Sequence, residues 1–116
     1  MNYRICLPNE VVRPAVDKKD WQILKDSDEL IQSVKAFQHS DELQYQLYRD
    51  FTEGDISFPP TYKYDKRSSK YDTSKKQRVP SWCDRILWKK NPENVKLQTM
   101  GSILDITFSD HRPVYA

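Results

Sequence analysis

The chain has 116 residues, 19 Lys and Arg against 17 Asp and Glu, and a net charge of +2. That length is one domain, but Leu, Ile, Val and Phe make up only about 22% of it, just above the ~20% at which disorder sets in and poor for a self-sufficient globule, while the aromatic residues argue against full disorder. No stretch approaches the ~18 apolar residues of a spanning helix, and MNYRICLPNEVVRP lacks the apolar segment of a secretion signal.

In chain order, Asn9 is expected to cap a short helix from Glu10, with Pro14 limiting or bending it. A second helix is expected near Asp26 or Ser27. Asp26 and Glu29 have the spacing of a capping box, and Leu30, Ile31, Val34 and Phe37 form an apolar stripe. Ser40 begins a further turn with Leu43, Leu47 and Phe51 on one face and Gly54 as its stop. Ile56 and Phe58 then alternate with polar residues up to Pro59-Pro60. Tyr62 and Tyr64 predict a short strand or extended turn. Residues 65–80 show no periodicity and read as a long surface loop of the kind that often carries function. Strands are expected at 84–88, 95–98, 103–108 and 112–115. The order is helices, a basic loop, then strands, with no repeats.

The small net charge conceals an uneven distribution. Residues 1–58 carry −4, residues 59–90 carry +7, and residues 91–116 carry −1. The +7 segment is interleaved with Tyr62, Tyr64, Tyr71, Trp82 and Trp88, which a merely solvated loop rarely holds. It is a candidate anion-facing surface, for nucleic acid, an acidic membrane or a polyphosphorylated small molecule. Lys63, Lys76 and Arg78 could converge on phosphates, with Tyr62 adding a hydroxyl. The chain has no Gly-rich phosphate loop, so phosphate chemistry here must come from side chains and a metal. Cys6 and Cys83 have no zinc spacing. They read as free thiols in a reducing cytosol, with one disulfide as the alternative.

Ser109-Asp110-His111-Arg112-Pro113 follows the apolar run 103–108. A His at a strand end can carry a proton near neutral pH, and an Asp beside it can hold a metal or orient a base. In PSWCDRILW, Asp84 lies among apolar neighbours and needs a partner. That partner is either Arg85 or another local cation, or else His111, whose ring it would orient. His39 reads as a surface residue.

NYRI at 2–5, FPPTYKYD at 58–65, RVPSWCDRIL at 78–87 and SDHRPV at 109–114, in this order, resemble the inositol polyphosphate 5-phosphatases of the endonuclease/exonuclease/phosphatase superfamily. The resemblance covers essentially the whole chain. It implies an α/β (α+β) fold: residues 1–116 form the C-terminal part of a DNase I-like two-sheet sandwich flanked by helices. Residues 1–54 would be mainly helical and 55–116 would hold the substrate loop and strands.

By the same resemblance, Asn2 matches the Asn that holds the scissile phosphate. Asp84 matches the Asp that pairs with the catalytic His, His111 matches that His, and Asp110 matches the carboxylate beside metal and nucleophile. Tyr62, Lys63, Lys76 and Arg78 match residues gripping the neighbouring 4-phosphate. The implied cofactor is Mg2+. The family's chief metal-binding Glu and the Asp preceding Asn2 in its motif have no counterpart here, which leaves Asp110 as the metal ligand. The expected activity is Mg-dependent hydrolysis of the 5-phosphate of PtdIns(4,5)P2 or a related inositol phosphate, in the cytoplasm at anionic membranes, with no nucleic-acid partner and with the rest of the domain as a partner. The alternatives are an inactive fragment that binds anionic lipid or does not fold alone, and a nuclease of the same superfamily.

Overall fold

A computed structural model describes residues 2–90 and 93–116. Its first helix, α1 (Asn9–Asp17), buries Val12 and Ala15, three residues apart and so on one face. Pro8 occupies the cap position. Asn9 is therefore not the cap. Its amide instead donates to the Gln77 carbonyl at 2.6 Å, and its oxygen accepts from Arg13 Nε at 2.8 Å. The helix continues through Pro14.

A five-residue helix, α2 (Trp21–Lys25), was not expected from the sequence. Asp20 caps it and Leu24 is its buried anchor. It is too short to show an apolar period. The next helix, α3 (Glu29–Phe37), starts two residues later than the Asp26 cap predicts. Asp28 accepts from the Ile31 amide at 3.0 Å and is the cap.

The turn expected from Ser40 becomes a 3-10 turn (Leu43–Tyr45) followed by α4 (Gln46–Asp50). Its predicted apolar face does not pack: Leu43 is 80% exposed. An aromatic stack replaces it, with Phe37 lying on Tyr45 at 3.9 Å between ring centroids. Phe51 leaves the helix to open β1 (Phe51–Glu53), so Gly54 follows a strand rather than ending a helix.

β1 pairs antiparallel with β2 (Leu87–Lys89), Thr52 facing Trp88. β3 (Gly101–Ser102) pairs with β4 (Val114–Tyr115), Gly101 facing Tyr115. A Cβ on Gly101 would lie 2.6 Å from the Tyr115 hydroxyl, so a side chain there would displace the ring. The strand predicted at 103–108 is not formed. After its backbone bond to Pro113 the segment turns outward and leaves Leu104 and Phe108 exposed. An alternating run becomes a strand only with a partner ladder, and none of the described residues supplies one. Nor is 95–98 a strand; β2 covers only the end of the predicted 84–88, and β4 lies within 112–115.

The core is Ile5, Val12, Ala15, Leu24, Ile56, Phe58 and Trp82. Trp82 is fully buried and its indole N–H donates to the Phe58 carbonyl at 3.0 Å. Arg85 is also buried, its side chain 3% exposed, between Asp28 at 2.8 Å and Glu53 at 2.5 Å. Burial opposes its charge, but the bonds to Glu53 and Asp28 outweigh it and raise its pKa. This trio ties α3, β1 and the segment before β2 together. Among the described residues no helix is long and apolar enough to cross a membrane.

Candidate active site

Three extended segments zip together at one end of the core. The middle one is 60–64. Tyr62 exchanges backbone bonds with Ser81 at 3.1 and 2.8 Å on one side. On the other side, the Arg112 amide donates to the Thr61 carbonyl and the Tyr64 amide donates to the Asp110 carbonyl, both at 2.9 Å. Asp84 and His111 thus enter from opposite flanks, across Thr61 and Tyr62.

They meet. His111 Nδ1 lies 2.8 Å from Asp84 Oδ2, with both side chains about one-third exposed, at 32% and 36%. The Thr61 hydroxyl donates to the same Asp84 oxygen at 2.9 Å. An ionised carboxylate only accepts. The contact therefore puts the imidazole proton on Nδ1 and leaves Nε2 free for a ligand. Of the two partners considered for Asp84, the structure selects His111, because Arg85 is taken by Asp28 and Glu53.

A cavity of about 520 Å³ is lined by Asn2, Arg4, Tyr62, Arg78 and Ser81. A shallower cleft of about 280 Å³ is lined by Asp84, Phe108, Ser109 and His111. The Tyr62 ring, which lines the first, tilts against the His111 ring, which lines the second, at 4.8 Å between centroids. Lys63, Lys76 and Asp110 line neither. Lys63 lies close enough to Asp65 and Asp72 for its charge to help lower both. Lys76 is exposed on the loop. His39 is exposed, as read.

The basic loop is built, not merely solvated. Asp72 is buried and accepts from the Ser74 amide at 2.9 Å and the Arg78 amide at 2.8 Å. The Ser74 side chain and then the Arg78 amide push its carboxyl down to about 2. Arg13 on α1 donates to the carbonyls of Asp72 and Arg78 at 3.0 and 3.3 Å. Asp65 is lowered by the Thr73 hydroxyl and then its amide. At the far side, the buried Arg112 guanidinium lies 3.9 Å over the Tyr64 ring and donates to the Ser109 carbonyl at 3.1 Å and to the Ser68 carbonyl. Thr61, Asp72 and Arg112 sit inside the quoted motifs or the loop, but sequence reasoning assigned them no role. Their signal was position: each neighbours a residue already singled out.

Both cysteines are free. Cys83 is buried, and burial pushes its thiol up to about 11, which leaves it unreactive.

The residues present do not by themselves fit Mg2+. That ion takes about six oxygen ligands, Asp84 is engaged by Thr61 and His111, and among the described residues no three His, Cys, Asp or Glu converge. Asp110 offers a single carboxylate.

All 116 residues match the model of Endonuclease/Exonuclease/phosphatase family 2. The chain is 43% identical, over 99% of its own length and 11% of the relative's, to the phosphatidylinositol 4,5-bisphosphate 5-phosphatase INP51 of Saccharomyces cerevisiae. It spans about a tenth of that protein and of the synaptojanins it matches. The crystal structure of the inositol polyphosphate 5-phosphatase domain of SPsynaptojanin, in complex with inositol (1,4)-bisphosphate and calcium, superposes with a TM-score of 0.81 at 36% identity, over 97% of this chain and 30% of that one. A mutant of Cimex nitrophorin, in its ferrous NO complex, superposes at 0.76 with 25% identity over 97% and 36%. One fold thus serves different ligands, and function must be argued from the site. The motifs, the fold and these relatives agree: the chain belongs to endonuclease/exonuclease/phosphatase family 2, and its resemblance to the inositol polyphosphate 5-phosphatases holds along its whole length.

Proposed function

We propose that this chain carries the catalytic turn and phosphate-gripping loop of an inositol polyphosphate 5-phosphatase, a phosphoric monoester hydrolase. The proposed substrate is PtdIns(4,5)P2 or a related inositol phosphate. The observation that carries the reading is the Asp84–His111 contact, held beside the cavity lined by Asn2, Tyr62 and Arg78.

In this reading water adds to the 5-phosphorus, the bond from phosphorus to the inositol oxygen breaks, and the proton shed by the water ends on that oxygen, giving inorganic phosphate and an inositol hydroxyl. His111, its Nδ1–H held by Asp84, directs Nε2 at a phosphoryl oxygen and, when protonated, stabilises the charge that grows there. The Asn2 amide holds the same phosphate, and Asp110 stands beside the nucleophile. Tyr62, Lys63, Lys76 and Arg78 hold the neighbouring phosphate. Dependence on a divalent cation, with Mg2+ as the proposed ion, belongs to the whole domain, whose cage these residues do not complete. The +7 segment suits an anionic membrane surface, so the proposed location is cytoplasmic and peripheral.

The test grafts residues 2–116 in place of the matching segment of the SPsynaptojanin domain and measures phosphate release from PtdIns(4,5)P2. Cation-dependent release by the graft, lost in its His111→Ala version, is the expected result. Equal release by the two grafts, or none from either, sinks the reading.

A further inference from the structure

We propose that Thr61 is a positioning residue for His111, acting through Asp84; this deepens the reading above and rests on it. The Thr61 hydroxyl and the His111 Nδ1–H both address Asp84 Oδ2, at 2.9 and 2.8 Å. Thr61 is fully buried, whereas the Asp84 side chain is 36% exposed. A carboxylate that open to water can turn about its last torsion, exchange its two oxygens and hydrogen-bond to solvent instead. A fixed donor on one oxygen removes that freedom. Thr61 is suited to be the fixed donor: its β-branched side chain is stiff, and its backbone carbonyl is held by the Arg112 amide at 2.9 Å. The same peptide frame continues into Tyr62, whose ring lies against the imidazole. Thr61 therefore sets which oxygen meets the ring and, through it, where Nε2 points. It touches no reacting atom itself.

The first test needs no substrate. The imidazole Nδ1–H of His111 is followed by proton–nitrogen NMR in the 116-residue chain. The native chain and Thr61→Ser, which keeps the hydroxyl, should show a slowly exchanging Nδ1–H signal. Thr61→Val, which keeps the shape and removes the donor, should lose it to exchange with water. Thr61→Ala stands in if the Val variant does not fold. A folded hydroxyl-free variant that keeps the signal overturns the proposal, as does a folded Thr61→Ser that loses it.

In the grafted phosphatase, loss of a hydrogen bond to a charged group should lower kcat roughly tenfold to a hundredfold. KM should stay within about twofold, because ground-state contacts to the substrate are untouched, and Thr61→Ser should restore kcat. A KM rise with unchanged kcat overturns the positioning role. If the graft releases no phosphate at all, the phosphatase reading fails, while the NMR result still decides whether Thr61 orients His111.

Discussion

The Asp84–His111 turn and the basic loop carry candidate functional residues by opposite means. In the turn, two side chains from distant segments are brought to 2.8 Å by a ladder of backbone bonds across residues 60–64. In the loop the backbone is pinned just as firmly, through Asp65, Asp72 and Arg13, yet Lys76 and Arg78 project from it exposed. The difference matches what each proposed role needs. Stabilising charge at a reacting phosphorus depends on the position of one proton, within a few tenths of an ångström. Gripping a neighbouring phosphate depends on charge and reach, which flexible cations supply without a fixed rotamer. The turn should therefore control kcat and the loop KM.

The sharpest way to break this division is Asp84→Asn. The amide can present an N–H where the ring needs an acceptor, so the imidazole loses its tautomer. In the grafted phosphatase, phosphate release should fall by roughly two to four orders of magnitude in kcat with little change in KM, read from initial rates over a range of PtdIns(4,5)P2 concentrations. A KM effect of that size would erase the distinction between the regions. The loop should behave conversely. Arg78→Ala removes a cation lining the Tyr62 cavity, and KM should rise roughly tenfold with kcat within about threefold. The rise should shrink with added salt, since an exposed charge is screened within about 8 Å at physiological ionic strength. A kcat loss that ignores salt would place Arg78 with the turn.

The same division explains what could be read in the sequence. α3 is legible in the apolar stripe of Leu30, Ile31, Val34 and Phe37, α1 only as a short helix begun near Asn9, and Asp84 and His111 in the specific strings WCDRIL and SDHRPV. The caps expected at Asn9 and Asp26 lie one or two residues away, at Pro8 and Asp28; Asn9 is drawn instead, with Arg13, to the 72–78 loop. Those bonds span 68 and 59 residues of sequence. The strand expected at 103–108 depended on a partner the pattern does not encode. Arg85 was read as the rival of His111 for Asp84, and only the fold shows that Asp28 and Glu53 had already claimed it. Alternation and motif spacing report local preference; they do not say which long-range partner satisfies a charge.

The smallest effect concerns how the loop is held. Asp72 is kept at about 2 by the Ser74 side chain and the Arg78 amide, against an ordinary value of about 3.9 in an unfolded chain. A carboxyl lowered on folding adds stability that is fully present above about pH 4 and is lost as pH falls toward 2. The Ser74 and Arg78 amide protons should therefore titrate together, with a midpoint near 2 in NMR spectra recorded down the acid range, and Asp72→Asn should abolish that step. The step should be local at first, because the Asp28–Arg85–Glu53 cluster ties other segments together and touches none of the loop. If the two amides instead move with a midpoint near 4, Asp72 is not organising the loop. The ordered backbone beneath Lys76 and Arg78 would then have to be credited to the other anchors, the Asp65–Thr73 bonds and Asn9 and Arg13 reaching the same turn from α1.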